Sequence, residues 1–477
     1  MAIRFQYSIL CLVGVFGLLE NVHGKSACLK MRFTSKEFNR VWGNAHVMDQ
    51  LKRMIQESSE LNHQHGEVDD FEYALTDLMV TDFTEPHGNI VSVSSKGLRV
   101  KADGASVSMT GFFDFSNKRI PYIGGVGNLE IFMSGLDFSM NLKSGMDPLG
   151  RLTFAANDYS CTTSEVNLTS HGGWIILFRS FLEDEVRRTL RNNICKGVMK
   201  TINRIVEKKL SFPVTYQLSP DFELDYGLLQ APIFQSSHME TSHKCEISCH
   251  GIKVVFPFEP PTMEDSGDPQ KMTYLWISDH MFNSWLYAAH VHNYLTTNIS
   301  AADVQIMFHR IGIPDRHFSD DIKEFSIVSN SNPTITITTD DVKADFSLKS
   351  VLEGRHGNKN LAYRMSVIVN VKTSFTMSIT DALYWKRNYF NIQMDEMNSS
   401  LGLNNSELLQ TVINNLLKLS IPMVDEIGHK GIPFSLIEEF PFLRTSEFIS
   451  AKPSIRFLQH AILIEDVFYG GTAGDIL

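Results

Sequence analysis

From Leu361 to Ile379 one parity of the chain is apolar at all positions but one. Leu361, Tyr363, Met365, Val367, Val369, Val371, Phe375, Met377 and Ile379 share one parity, and Thr373 is the single polar member. Period-two alternation marks a strand with one apolar face. At ~3.3 Å per residue this strand would run roughly 60 Å, whereas most strands have about 3–10 residues. A sheet built from such strands is elongated, and its apolar face needs a long partner.

The first half repeats the theme with a twist. Val107, Met109, Phe113 and Phe115 alternate with polar residues, as do Leu129, Ile131 and Met133. After Gly135 the phase flips to Leu136, Phe138, Met140 and Leu142. A glycine at a phase flip predicts a β-bulge.

Helical spacing flanks these strands. Thr34-Ser35-Lys36-Glu37 reads as a capping box, followed by Phe38, Val41, Trp42, Ala45, Met48, Leu51 and Ile55. This predicts a helix to about Ser58, ended by the polar stretch 57–70. A second helix starts near Trp174 and carries Phe178, Leu182, Val186, Leu190, Ile194, Val198, Ile202 and Val206. That every-fourth stripe drifts about 40° per step, so it winds around the helix as wrapping on a twisted sheet requires. Ser278-Asp279 predicts a capped helix bearing Met281, Phe282, Trp285, Leu286, Ala289 and Leu295. Ser406 predicts a last one through Leu409, Val412, Ile413, Leu416 and Leu417. Closing strands are expected at 454–458 and 461–468. Helix, long antiparallel strands, long helix, strand thus occurs twice. Between the copies, residues 256–271 hold Pro257, Pro260, Pro261, Asp265, Gly267, Asp268 and Pro269, a linker composition. The expected divisions are a leader 1–24, a first barrel 25–255, the connector 256–271 and a second barrel 272–477.

The formal net charge is −11, most of it in the second half. That argues against a nucleic-acid partner, whose usual footprint is basic. Arg4 followed by apolar Ile9–Leu19 and Val22-His23-Gly24 reads as a cleaved signal peptide. No later segment offers about 20 uninterrupted apolar residues, so secretion is expected. Removal of Cys11 leaves Cys28, Cys161, Cys195, Cys245 and Cys249, an odd number, so one thiol is free or pairs between chains. Cys245 and Cys249, near His243 and His250, have a spacing uncommon for zinc and no second ligand pair, so no metal is expected. Asn167, Asn298, Asn398 and Asn404 stand in glycosylation sequons.

Catalytic signatures are missing: no G-x-S-x-G, no H-E-x-x-H and no Walker loop. Gly124-Gly125-Val126-Gly127 reads as a strand turn. His290 and His292 lie two apart on a helix and face different ways. His63 and His65 are expected solvated in a polar loop. Neither catalytic residues nor a cofactor are expected.

Pro257-Phe258-Glu259-Pro260-Pro261-Thr262-Met263, then Met272 to Ser284, resembles the proline-rich connector and following helix start of one family. It comprises the bactericidal/permeability-increasing and lipopolysaccharide-binding proteins and the cholesteryl ester and phospholipid transfer proteins. Asp225-Tyr226-Gly227-Leu228, Ala231-Pro232 and Lys430-Gly431-Ile432-Pro433 are similar to further segments of it. The resemblance covers the whole mature chain. It implies an α+β boomerang of two pseudo-repeated barrels, each a long curved antiparallel sheet wrapped on long helices, joined by a central sheet. It implies a disulfide between Cys161 and Cys195. It also implies an apolar pocket for phospholipid acyl chains in each barrel. By position, candidates for the first pocket are Val41, Trp42, Ala45, Met48, Val186 and Leu190. For the second they are Phe282, Trp285, Leu286, Leu409 and Val412. Anionic headgroups would meet Lys118 and Arg119 at the first barrel's tip, joined by Lys96, Arg99 and Lys101. The expected protein is a secreted, monomeric lipid binder of innate immunity, holding phospholipid or lipopolysaccharide and touching membrane or lipoprotein surfaces transiently. The alternative is an extracellular phospholipid carrier without lipopolysaccharide activity. A secreted hydrolase and a solid-barrel scaffold rank lower. The glycine-rich end Tyr469–Gly474 does not resemble the amphipathic tail of the cholesteryl ester carrier, so neutral-lipid exchange is not expected.

Overall fold

A computed structural model describes residues 27–42, 63–68, 70–94, 97–118, 123–171, 214–218, 220–302, 321–356, 361–379, 382–399, 432–433 and 454–465, with the single positions 188, 192, 196, 306 and 429. The leader and the helix expected from Ser406 lie outside the described residues, and of the helix expected from Trp174 only Arg188, Asn192 and Lys196 are described, each helical.

Four antiparallel sheets carry the fold. In the first half, Gln64–Val68, Phe71–Thr84, Gly97–Asn117, Gly124–Met146 and Leu152–Thr162 pair in that order. His87–Val93 adds to Gly97–Asn117, and Glu165–His171 adds to Gly124–Met146. In the second half the order is Thr296–Ile299, Asp321–Ser329, Val342–His356, Leu361–Ile379, Ala382–Ser399 and Ile432–Pro433, with Thr334–Ile337 beside Val342–His356. Leu361–Ile379 is one strand along the whole alternating run. Val367, Val369, Val371 and Thr373 are buried, as the parity requires.

The predicted bulge is there. Gly135 has φ +58°, and across the ladder Gly104 has φ +78°. Register shifts on both sides of Ala105 as the pairing passes from Ala102↔Phe138 to Ala105↔Leu136 and Val107↔Met133. Both strands therefore flip together. Asp137 Oδ1 accepts from the Gly104 N–H at 2.7 Å, satisfying an amide that the disrupted ladder leaves unpaired. At the same point Leu152–Thr162 hands its place beside Gly124–Met146 to Glu165–His171. The flip keeps the apolar side inward. Beyond it Val107, Met109, Phe113, Phe115, Leu129, Ile131 and Met133 form one buried cluster. Before it Leu98, Val100, Ala102, Phe138, Met140 and Leu142 form another, which reaches Phe234 and Met239. Each such large side chain contributes roughly 1.5–3 kcal/mol of burial.

The halves meet in a six-stranded sheet ordered Ile233–Phe234, His238–His243, Leu29–Thr34, Thr273–Ser278, Ala461–Glu465 and Ser454–Leu458. The first strand of the chain thus lies between one strand from before the connector and one from after it. Thr34 closes that strand, and its N–H and hydroxyl both donate to the Met272 carbonyl at 3.0 Å. A smaller sheet, Ile252–Lys253, Glu246–Cys249, Phe222–Asp225 and Thr215–Gln217, packs alongside.

Two expectations need correction. The polar stretch thought only to end a helix contains the strand Gln64–Val68, whose hairpin with Phe71–Thr84 places His65 on a strand. Gln64 is buried there while His65 is exposed, so alternation exists without apolar residues to reveal it. The helix capped by Ser278 is Asp279–Val291 and stops short of Leu295. Ser278 Oγ accepts from His280 N–H at 3.1 Å, as its sequence predicts. At the other end Asn293 turns left-handed (φ +61°) and breaks the helix.

The connector has no helix or strand, yet it is tied down. Phe256 and Phe258 set their rings edge-on against His280 and Tyr287. Asp265 meets Arg32 at 2.7 Å. The Asp268 N–H donates to Glu465 at 2.9 Å.

Candidate lipid-binding site

The inner face of each long sheet is assembled mainly from Val, Leu, Ile, Met and Phe, on one parity along Leu361–Ile379 and on a parity that flips at the shared bulge in the first sheet. Among the described residues, the buried polar ones of the two sheets are Gln64, Ser92, Asn117, Ser350, Thr373 and Ser374, with Thr163 between two strands. Among the described residues, no Asp, Glu, Lys, Arg or His of these sheets is buried. Such a surface offers acyl chains dispersion contacts and no competing charge, at about 0.8 kcal/mol per CH2 removed from water.

Of the pocket candidates, Val41 and Trp42 are the last described positions of the helix Ser35–Trp42. Ala45, Met48, Val186, Leu190, Leu409 and Val412 lie outside the described residues. In the second half Phe282 packs against buried Ile337, Val342 and Ile462. Leu286 is half-buried. Trp285 is 43% exposed. The three therefore share a helix but not an environment.

The cationic candidates separate. Lys118 follows the distal end of Gly97–Asn117, while Arg99 and Lys101 lie near its other end. The intervening strand, at ~3.3 Å per residue, puts roughly 55–60 Å of backbone between them. They form no common patch, because a run of basic residues in sequence says nothing about a strand this long lying between them. Lys118 Nζ is also occupied. It meets Glu72 at 2.8 Å and Glu67 at 3.0 Å, and its pKa is raised by those hydrogen bonds. Glu67 comes from the unpredicted strand, so sequence reasoning had no access to this pairing. Arg99 Nε donates to Asn141 Oδ1 at 3.0 Å. Lys101 is exposed. Lys96 and Arg119 lie outside the described residues.

The cysteines resolve beyond expectation. Cys28 and Cys245 form a disulfide. Cys249 is free and buried. Cys161 is also disulfide-bonded, and Cys195, its expected partner, lies outside the described residues. Near Cys249, His250 Nε2 and Tyr294 Oη share a hydrogen bond of 2.9 Å. Burial pushes the Cys249 thiol pKa up, which opposes thiolate formation. Among the described residues no group of three or more His, Cys, Asp or Glu could hold a metal ion, and no helix is long and apolar enough to cross a membrane.

Two family models match the chain: "LBP / BPI / CETP family, N-terminal domain" over residues 43–210 and "LBP / BPI / CETP family, C-terminal domain" over residues 217–449. The chain belongs to this family. Human lipopolysaccharide-binding protein is 23% identical over 74% of this chain and 76% of its own length. Rat bactericidal permeability-increasing protein is 26% identical over 45% of each. The crystal structure of lipopolysaccharide binding protein matches with a TM-score of 0.53 and 19% identity, covering 92% of this chain and 98% of that one. The fold is therefore the family's boomerang of two curved sheets about a central sheet. The family comprises lipid- and lipopolysaccharide-binding and lipid-transfer proteins.

Proposed function

We propose that this chain is a secreted, monomeric, non-enzymatic lipid carrier. Its two barrels, in 25–255 and 272–477, hold the acyl chains of phospholipid, and it touches membrane or lipoprotein surfaces transiently to load and unload. The observation that carries this reading is the uncharged inner face of both long sheets among the described residues. Family membership supports it. Native mass spectrometry with lipid extraction is the test. Phospholipid co-purifying with the protein is the expected result, and a folded protein that neither carries nor acquires lipid would sink the proposal.

Lipopolysaccharide recognition in innate immunity is a second reading, favoured by the name of the human relative. The arrangement of Lys118 weighs against it at that spot, because Glu67 and Glu72 already neutralise the cation an anionic headgroup would need. A Glu67→Gln/Glu72→Gln variant should bind lipopolysaccharide more tightly than the parent chain, in a salt-dependent manner. Tight, salt-sensitive binding by the parent itself would restore the lipopolysaccharide reading.

A further inference from the structure

We infer that Asn167 carries an N-linked glycan whose first sugar packs on Phe132. Phe132 is 43% exposed on the outer face of the first sheet. Its cross-strand neighbours are Ser108 on one side and Asn167 on the other. Along its own strand the next outward residues are Glu130 and Ser134. Among the described residues no apolar side chain adjoins the ring in register on this face.

Asn167 faces it directly. In an antiparallel pair, residues in register hold their Cβ atoms about 4.5–5.5 Å apart on one face. Leu168 is buried, so Asn167 and Thr169, the two required sequon positions, both point outward. The Asn167 Nδ2 donates to Glu165 Oε1 at 3.0 Å, which holds the amide over the sheet. In N-glycosylation the new bond joins Nδ2 to the anomeric carbon of N-acetylglucosamine, displacing dolichyl pyrophosphate. One N–H remains on Nδ2, so the bond to Glu165 can persist. Nδ2 lies two bonds beyond Cβ, and the phenyl ring begins one bond beyond its own. The pyranose and the phenyl ring thus stand at similar height on neighbouring strands. The C–H-bearing face of the sugar then covers the negative face of the ring, the complement its quadrupole prefers. Among the described residues Glu165–His171 pairs on one side only, with Gly124–Met146. A glycan there also obstructs strand addition at that edge.

The inference rests on export through the secretory pathway, and the experiment separates the two. The full chain is expressed in mammalian cells held to high-mannose glycans, and the medium is mapped by peptide mass spectrometry. Absence of the protein from the medium, with Asn167 and Asn298 both bare in the cell, overturns export and this inference together. Exported protein with Asn167 bare overturns the inference alone. In occupied protein, Phe132→Ser should lower the melting temperature by roughly 2 °C or more, and by much less in an Asn167→Gln background. Phe132→Tyr should retain the difference. Trimming with endoglycosidase H leaves the first sugar and should also retain it. Equal effects of Phe132→Ser in both backgrounds, or loss of the difference on trimming, would overturn the packing.

Discussion

The central strand pairs of the two long sheets accommodate extra residues differently. In the first, the bulge falls on both members of the central pair, at Gly104 and Gly135, and the buried parity flips in each. In the second, the pairing of Leu361–Ile379 with Ala382–Ser399 shifts twice, and both times the extra residue, Asp395 or Asn388, lies on the second strand. Val367 to Thr373 consequently keep one parity. A bulge shared by two strands rewrites the pattern of both, whereas bulges confined to one strand leave its partner's alternation intact. The halves also differ in closure. The Cys28–Cys245 disulfide spans 217 residues and rings the first half covalently at its base; among the described residues the second half has no counterpart.

The largest break in this asymmetry comes from opening the ring. Replacing Cys28 and Cys245 together with serine should cost on the order of 5 kcal/mol on the chain-entropy model. Urea unfolding would show it, and hydrogen exchange should place the loss in the first half. Equal loss in both halves would show that the central sheet, not the ring, sets their stability.

Next is the seam beside the disulfide. Half-buried His243 hydrogen-bonds the Tyr226 carbonyl and Thr241 Oγ1, each at 2.9 Å. The carbonyl can only accept, so Nδ1 carries the proton of the neutral ring. Burial lowers its pKa to about 4, so the unfolded chain takes up a proton at higher pH than the folded one. The stabilisation is complete above about pH 6.5 and is lost as pH falls from there to about 4, a change of no more than roughly 3 kcal/mol. Denaturation midpoints across that range would report it, and His243→Gln should flatten the dependence.

The shared bulge gives smaller effects. A Cβ at Gly135 would lie 2.0 Å from Ser164 Oγ and 2.8 Å from its Cβ, at a positive φ. Gly135→Ala should therefore cost about 2 kcal/mol or more. Gly104 has the same handedness but open space, so Gly104→Ala should cost only about 1 kcal/mol. Equal costs would mean that backbone conformation alone, without Ser164, decides the bulge. The smallest effect is expected in the second sheet. Asn388→Ala, removing a side chain 3.3 Å from Thr376 Oγ1, should stay within about 0.5 kcal/mol. A larger loss would show that this bulge, too, depends on a specific residue.

Much was legible along the chain because it is local. Alternation over 361–379 follows from the two-residue repeat of a pleated strand. Gly135 marks the flip because few other residues take a left-handed φ cheaply. Ser278 caps its helix through an amide two residues away. Other features join distant residues and leave no periodic trace. Phe132 faces Asn167, Lys118 is neutralised by Glu67, and Leu29–Thr34 lies between strands from before and after the connector. Pairing register decides all three, and register comes from packing a whole apolar face at once. The same holds for Cys28, whose partner could not be chosen from five cysteines until the central sheet brought it within 5.8 Å of Cys245, Cα to Cα. By itself, the sequence determined that long apolar-faced strands would form and where they would bend. Only the tertiary structure decided which distant side chains meet, because those contacts depend on three-dimensional register rather than on spacing along the chain.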